Sequence, residues 1–160
     1  MTAELGAFAL TLALALSVVQ TLLGFLGARR PALAGAANGA SLGAFLCVAA
    51  AFAALLVAYV TSDFSVANVA ANSNTAKPML YKVAGAWGNH EGSMLLWCMA
   101  LTGYGAAVAG FGRDLPLALR SRTVGVQGAL GVLFLAYTVF ASNPLARVID
   151  PPIEGRSLNP

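Results

Sequence analysis

The chain has 160 residues, of which 59% are hydrophobic and 9% charged, and its net charge is +3. Ordinary soluble domains carry roughly 25% charged residues, so a water-soluble globular fold is excluded. A positive charge this small and dispersed offers no binding stripe for nucleic acid.

The charges leave four long gaps. Residues 5–28, 31–62, 92–112 and 123–146 contain no Asp, Glu, Lys or Arg, and each gap holds the ~20 apolar residues that cross a hydrocarbon core about 30 Å thick. Spanning helices are expected near 5–26, 41–60, 93–111 and 124–141. Each run is continuously apolar and does not alternate, which favours helices over barrel strands, because a lipid-exposed backbone must satisfy its own hydrogen bonds. The predicted class is all-α: a polytopic membrane bundle of about four transmembrane helices over residues 1–142.

The first run is read as an uncleaved helix, although Ala32-Leu33-Ala34 resembles a small-residue cleavage site. It is preceded by acidic Glu4, exceeds the 7–15 apolar residues of a signal-peptide core, and is separated from that site by Arg29-Arg30. Those arginines also bear on orientation. Arg29 and Arg30 in the first connection and Arg113, Arg120 and Arg122 in the third share one side, whereas Lys77, Lys82, Arg147 and Arg156 are spread over the other. The positive-inside rule then places the N-terminus and the long loop 61–92 outside the cytoplasm.

Within the second and third helices, Cys47 and Cys98 lack any paired-ligand spacing and read as packing residues. Gly39 and Gly43, Gly103 and Ala107, and the series Gly125, Gly128, Gly131 form small-residue faces suited to helix association in lipid. The connector 61–92 is longer than an ordinary loop. It places Tyr81 and Trp87 with Tyr59 at one predicted interface. The connection 112–122 reads as an anchor for anionic headgroups. Beyond it, residues 143–160 form an extended, Pro-rich external tail through Asn143-Pro144, Asp150-Pro151-Pro152 and Asn159-Pro160, expected to lead into polypeptide not present here.

The unusual polar residues concentrate in Trp87-Gly88-Asn89-His90-Glu91-Gly92-Ser93-Met94-Leu95-Leu96-Trp97, which contains the only histidine and both tryptophans. Ser93 is the expected cap of the third helix, with Glu91 near the positive end of its dipole. His90-Glu91 lacks the second histidine of a zincin, no Gly-x-Ser-x-Gly elbow occurs, and no glycine-rich stretch ends as a phosphate loop does. Two readings stay open for the motif. It is either a well-satisfied interfacial cluster or an external ledge on which a flat ligand such as haem packs, with Trp87, Asn89, His90, Glu91 and Trp97 as the residues nearest to it.

That motif, together with Glu4-Leu5-Gly6-x-Phe8-Ala9-Leu10 and Ser142-Asn143-Pro144-Leu145 through Gly155-Arg156-Ser157-Leu158-Asn159-Pro160, resembles the N-terminal part of the CcmF/NrfE family. This family comprises the large haem-lyase subunits of bacterial cytochrome c maturation. The resemblance implies a longer, multi-pass protein of the inner membrane with haem as its cofactor. Its implied partners are a membrane-tethered haem chaperone, other maturation subunits and apocytochrome c. It also implies that the haem-ligating histidines and the tryptophan-rich haem-handling motif belong to later segments, so no catalytic residue and no metal ligand is expected here. A self-contained, non-enzymatic four-helix adaptor or small transporter is the alternative reading.

Overall fold

A computed structural model describes residues 1–156, so the last four positions of the motif ending at Pro160 lie outside the described residues. Four long helices carry the fold: α1 (Thr2–Gly27), α2 (Pro31–Val60), α5 (His90–Phe111) and α6 (Leu117–Phe140), with two short helices, α3 (Ala67–Asn72) and α4 (Met79–Gly85), between α2 and α5. A single 3-10 turn, Gly112–Asp114, links α5 to the last connection. All four long helices are apolar and long enough to span a membrane. They run up and down, with neighbours α1/α2, α2/α5, α5/α6 and α6/α1 closing a ring.

The helices are longer than their apolar runs, for local reasons. α2 begins at Pro31, because Arg30 is held extended (φ −138°, ψ 102°), as a residue before proline must be, and proline fits the first helical position. The stretch that follows, Ala-Leu-Ala-Gly-Ala-Ala, is helix-forming without being strongly hydrophobic. α2 therefore reaches about 45 Å at 1.5 Å per residue. It must tilt or project from a hydrocarbon layer of about 30 Å. α6 likewise begins at Leu117, behind Pro116, with Arg120 and Arg122 in its first turns.

Small residues bring α1 and α6 into backbone contact. Ser17, Gln20 and Gly24 on α1 face Ser121, Gly125, Gly128 and Gly131 on α6, all buried. A Cβ added at Gly24 would lie 2.5 Å from Gly125 Cα, and one at Gly128 would lie 2.8 Å from Thr21 N. Side-chain donors exploit this approach: Gln20 Nε2 donates to Val124 O at 2.9 Å and Ser121 Oγ to Gly24 O at 2.7 Å. The Gly125, Gly128, Gly131 series is thus an internal seam. Gly39 is different: a Cβ there would meet nothing within 4 Å.

Toward the other end the core broadens around Leu10, Val48, Leu55, Tyr59, Leu95 and Leu135, all fully buried. This end is covered by the loop and the tail together. Pro144 and Leu145 are buried, and Leu145 reaches Gly6 on α1. An isolated antiparallel bridge joins Val66 and Arg147, flanked by Ala67 N–H to Ala146 O at 2.8 Å and Val148 N–H to Ser65 O at 2.9 Å. The Arg147 guanidinium then bonds Glu4 of α1 at 2.7 Å and Asp63 of the loop at 3.2 Å.

Substituting Gly128 by Leu is expected to lower stability by about 1–3 kcal/mol through overpacking, whereas Gly39→Ala changes it by no more than about 1 kcal/mol. Thermal unfolding in detergent, followed by circular dichroism, checks both.

Candidate functional site

The Trp87–Trp97 motif forms the entry to α5. Asn89 is its N-cap: held extended (φ −128°, ψ 172°), it accepts the Gly92 N–H on Oδ1 at 2.8 Å. The expected cap, Ser93, lies instead inside the first turn and donates to His90 O at 3.0 Å. The helix starts before its apolar run because an asparagine satisfies the free N–H groups of a first turn as well as a serine does. Glu91 is in that first turn, where a carboxylate opposes the positive end of the helix dipole.

Asn89 also joins the loop to the bundle. Its Nδ2 donates to Gly85 O at 2.8 Å and meets Tyr59 Oη at 3.0 Å and Asn68 Oδ1 at 3.1 Å. Asn68 Nδ2 returns a bond to Asn89 Oδ1 at 2.8 Å and approaches Glu91 Oε2 at 3.3 Å, while Tyr59 Oη donates to Asn68 Oδ1. The last turn of α2, helix α3, the end of α4 and the start of α5 therefore meet at one amide cluster. The expected interfacial ring, Tyr59, is fully buried inside it. Composition gives a tyrosine near a helix end the same signal whether it faces lipid or a covering loop, and here the loop folds over it.

Glycine allows the tight geometry. A Cβ at Gly92 would fall 1.9 Å from Ala86 O, and one at Gly85 would press on the Tyr59 ring at 2.8 Å. Trp87 stacks against Phe52 of α2, with ring centroids 6.4 Å apart and planes inclined by 25°. α2 itself ends in a Schellman arrangement: Asp63 N–H bonds Ala58 O at 2.9 Å and Ser62 N–H bonds Tyr59 O at 3.2 Å, with Ser62 left-handed at φ 53°. A left-handed conformation costs a non-glycine residue about 1–2 kcal/mol. Ser62 offsets part of this by accepting a bond from the buried Lys82 ammonium at 2.7 Å.

His90 and Trp97 occupy a different surface. One α5 face, at intervals of seven residues, carries His90, Trp97, Tyr104 and Phe111, and the last three are 66%, 70% and 88% exposed. His90 Nε2 lies 3.3 Å from Tyr137 Oη on α6, the rings meeting edge to face. Beside them Met94, Leu133 and Phe134 line a groove of about 390 Å³. The five residues expected to form one ledge thus divide. Asn89 and Glu91 face the amide cluster, Trp87 covers α2, and His90 and Trp97 point outward along α5.

The loop is fastened to the tail beyond this cluster. Glu154 accepts from Thr75 N–H at 2.9 Å and Thr75 Oγ1 at 2.6 Å, and these bonds hold its carboxyl below the usual range. Burial pushes the Asp63 carboxyl up, but hydrogen bonds from Ser65 and the Arg147 charge outweigh it, and the group is lowered overall. Sequence reasoning placed Tyr59 with Trp87 at the membrane interface and not inside the amide cluster, used Lys82 only for orientation, and gave Asn68 no role. Asn68 is one of three asparagines in the stretch 68–75, with Asn72 and Asn74, so composition did not single it out.

The chain is 51% identical over its whole length to the cytochrome c-type biogenesis protein CycK of Rhizobium meliloti, of which it covers 24%. It is 43% identical, again over its whole length, to CcmF of Pseudomonas aeruginosa, covering 25% of that protein. A solved structure described as the cytochrome c haem lyase CcmF superposes on 91% of the chain with a TM-score of 0.84 and 30% identity, the match covering 25% of that structure's chain. The chain is a CcmF-family segment. It spans about a quarter of the length of the curated CcmF-family relatives it matches. No family model matches it.

Asn89→Ala removes the α5 cap and leaves Asn68 and Tyr59 short of partners, an expected loss of about 1–3 kcal/mol. Asn89→Asp keeps the cap but loses the Nδ2 donor, so it falls between. Thermal unfolding and amide exchange at Gly92 distinguish the two.

Proposed function

We propose that this chain is the N-terminal portion of a membrane haem lyase that attaches haem covalently to apocytochrome c. The observation that carries the reading is whole-length identity of 43–51% to cytochrome c biogenesis proteins, supported by the likeness to the CcmF haem-lyase structure. The adaptor or transporter reading has no comparable support. The reaction forms thioethers by adding cysteine S–H bonds across haem vinyl groups. In this reading haem is the substrate, delivered by a haem chaperone and used with other maturation subunits.

The residues of this segment do not fit haem by themselves. His90 is the chain's only histidine and is engaged with Tyr137. The adjoining groove offers no second imidazole and no cation for the propionates. The role assigned to the segment is therefore structural: its closed seam and amide cluster hold the external ledge, and its open α5 face receives the rest of the protein. Within the ledge, Asn89 and Glu91 brace the α5 entry from beneath. Trp87, His90 and Trp97 provide the surface near which the haem-handling segments assemble.

A strain lacking its own large lyase subunit, supplied with the full-length gene, is expected to regain haem-stained cytochrome c; failure of the unaltered gene to restore it would reject the reading. In the same assay His90→Ala should lower maturation by less than about tenfold, the scale of one hydrogen bond, with the membrane level of the protein unchanged. A larger loss at a normal protein level would assign His90 a chemical role.

The segment is placed in the inner membrane with its N-terminus, loop and tail on the periplasmic side. The support is the clustering of Arg29, Arg30, Arg113, Arg120 and Arg122 at the opposite end. A membrane-impermeant thiol reagent applied to intact spheroplasts should label a cysteine introduced at exposed Met79 and not one at exposed Arg113. The reverse pattern inverts the topology.

A further inference from the structure

The end of the bundle opposite the amide cluster contains a polar cleft whose arginines enter the haem-lyase reading only as markers of orientation. It encloses about 360 Å³, and its walls combine Arg29, Arg30 and Arg122 with Phe25, Leu26 and Leu33. All three arginines are exposed, and none has a carboxylate within ion-pairing distance among the described residues; the only arginine paired in this way is Arg147, at the other end. A cluster of like charges gains nothing from its own proximity. The convergence of three such charges on one concave site points to an anion supplied from outside.

Backbone packing brings the three charges together. A Cβ on Gly27 would lie 2.6 Å from Ser121 Oγ and 2.7 Å from the Ala34 backbone, so the end of α1 is pressed against both α2 and α6. Ser121, beside Arg122, donates to Gly24 O. The α1–α2 connection contains only Ala28, Arg29 and Arg30. Two arginines of this tight corner and one from the first turns of α6 thus converge on a fixed site. The first turn of α2, which begins between the lining residues Arg30 and Leu33, carries no acidic residue and no side-chain cap. The positive end of its dipole therefore adds to the same field.

We propose that this cleft binds the phosphodiester headgroup of an anionic phospholipid, with the arginines on the phosphate oxygens and Phe25, Leu26 and Leu33 against the adjoining acyl chains. The mixed lining favours a lipid over a free phosphate, which would make no use of three apolar side chains at the rim of membrane-spanning helices. Guanidinium groups suit the ligand because their forked donors match paired phosphate oxygens. Basic recesses between transmembrane helices are recurrent headgroup sites.

The test uses the full-length protein, delipidated in non-ionic detergent and titrated with cardiolipin, phosphatidylglycerol, phosphatidylcholine or inorganic phosphate, with bound lipid read by native mass spectrometry. Saturable binding of cardiolipin or phosphatidylglycerol, not of phosphatidylcholine, is expected. Each Arg→Gln change in the cleft should weaken it about fivefold, and the triple change by on the order of a hundredfold. The triple Arg→Lys variant, which keeps the charges and loses the forked donors, should bind more weakly than the wild type and more tightly than the triple Gln variant, which separates loss of charge from loss of fold. Arg113→Gln, at the same end but outside the cleft, should have little effect. Equal weakening by Arg113→Gln, an unaffected triple Gln variant, or full displacement of lipid by equimolar inorganic phosphate would overturn the proposal.

Discussion

A single side-chain amide, Asn89, sits where the end of α4 and the start of α5 need hydrogen-bond partners and where the side chains of Tyr59 from α2 and Asn68 from α3 meet them. Its oxygen takes the Gly92 N–H in the first turn of α5, and its nitrogen serves the end of α4, Tyr59 and Asn68. A backbone group buried beneath the loop and left without a partner costs about 1–3 kcal/mol. The position of the loop, the burial of Tyr59 and the direction in which His90 leaves α5 all depend on this node. Gly85 and Gly92 matter because they permit the close approach that the node requires.

The bundle is asymmetric in how it treats its own surface. Between α1 and α6 the backbones touch and side-chain donors cross the seam, so that face is closed. Around α5 the aromatic series from Trp97 to Phe111 is exposed, and the small residues Gly35, Gly39 and Gly110 have open space beside them. Lipid has no preference for leaving such surfaces open. The relatives, of which this chain spans about a quarter of the length, carry much more polypeptide with which such a face can be covered.

The two ends of the bundle differ chemically. One is capped by a loop and tail in which Arg147 pairs with Glu4 of α1 and Asp63, and Glu154 is held by the Thr75 hydroxyl. The other has arginines with no acidic partner, arranged around a cleft by the glycine-mediated contact of α1, α2 and α6. Matched charges consolidate the fold where it supports the ledge. Unmatched charges leave a site for something outside the chain.

The four spans, the all-helical class and the family were legible in the sequence, because uninterrupted apolar runs and the Trp87–Trp97 motif are local properties of the chain. The helix starts at Pro31, His90 and Leu117 were less visible, since alanine-rich, capped or arginine-bearing turns are helical without being apolar. Within the motif, composition marked which residues were unusual but not which way they face: five candidates separate into an inward brace of Asn89 and Glu91, a packing ring at Trp87, and the outward pair His90 and Trp97. The partners that decide this, Tyr59, Asn68 and Tyr137, lie 21 to 47 residues from the residues they bond. Hydropathy and spacing record what a residue prefers, whereas its orientation is set by which distant backbone comes close enough to satisfy it.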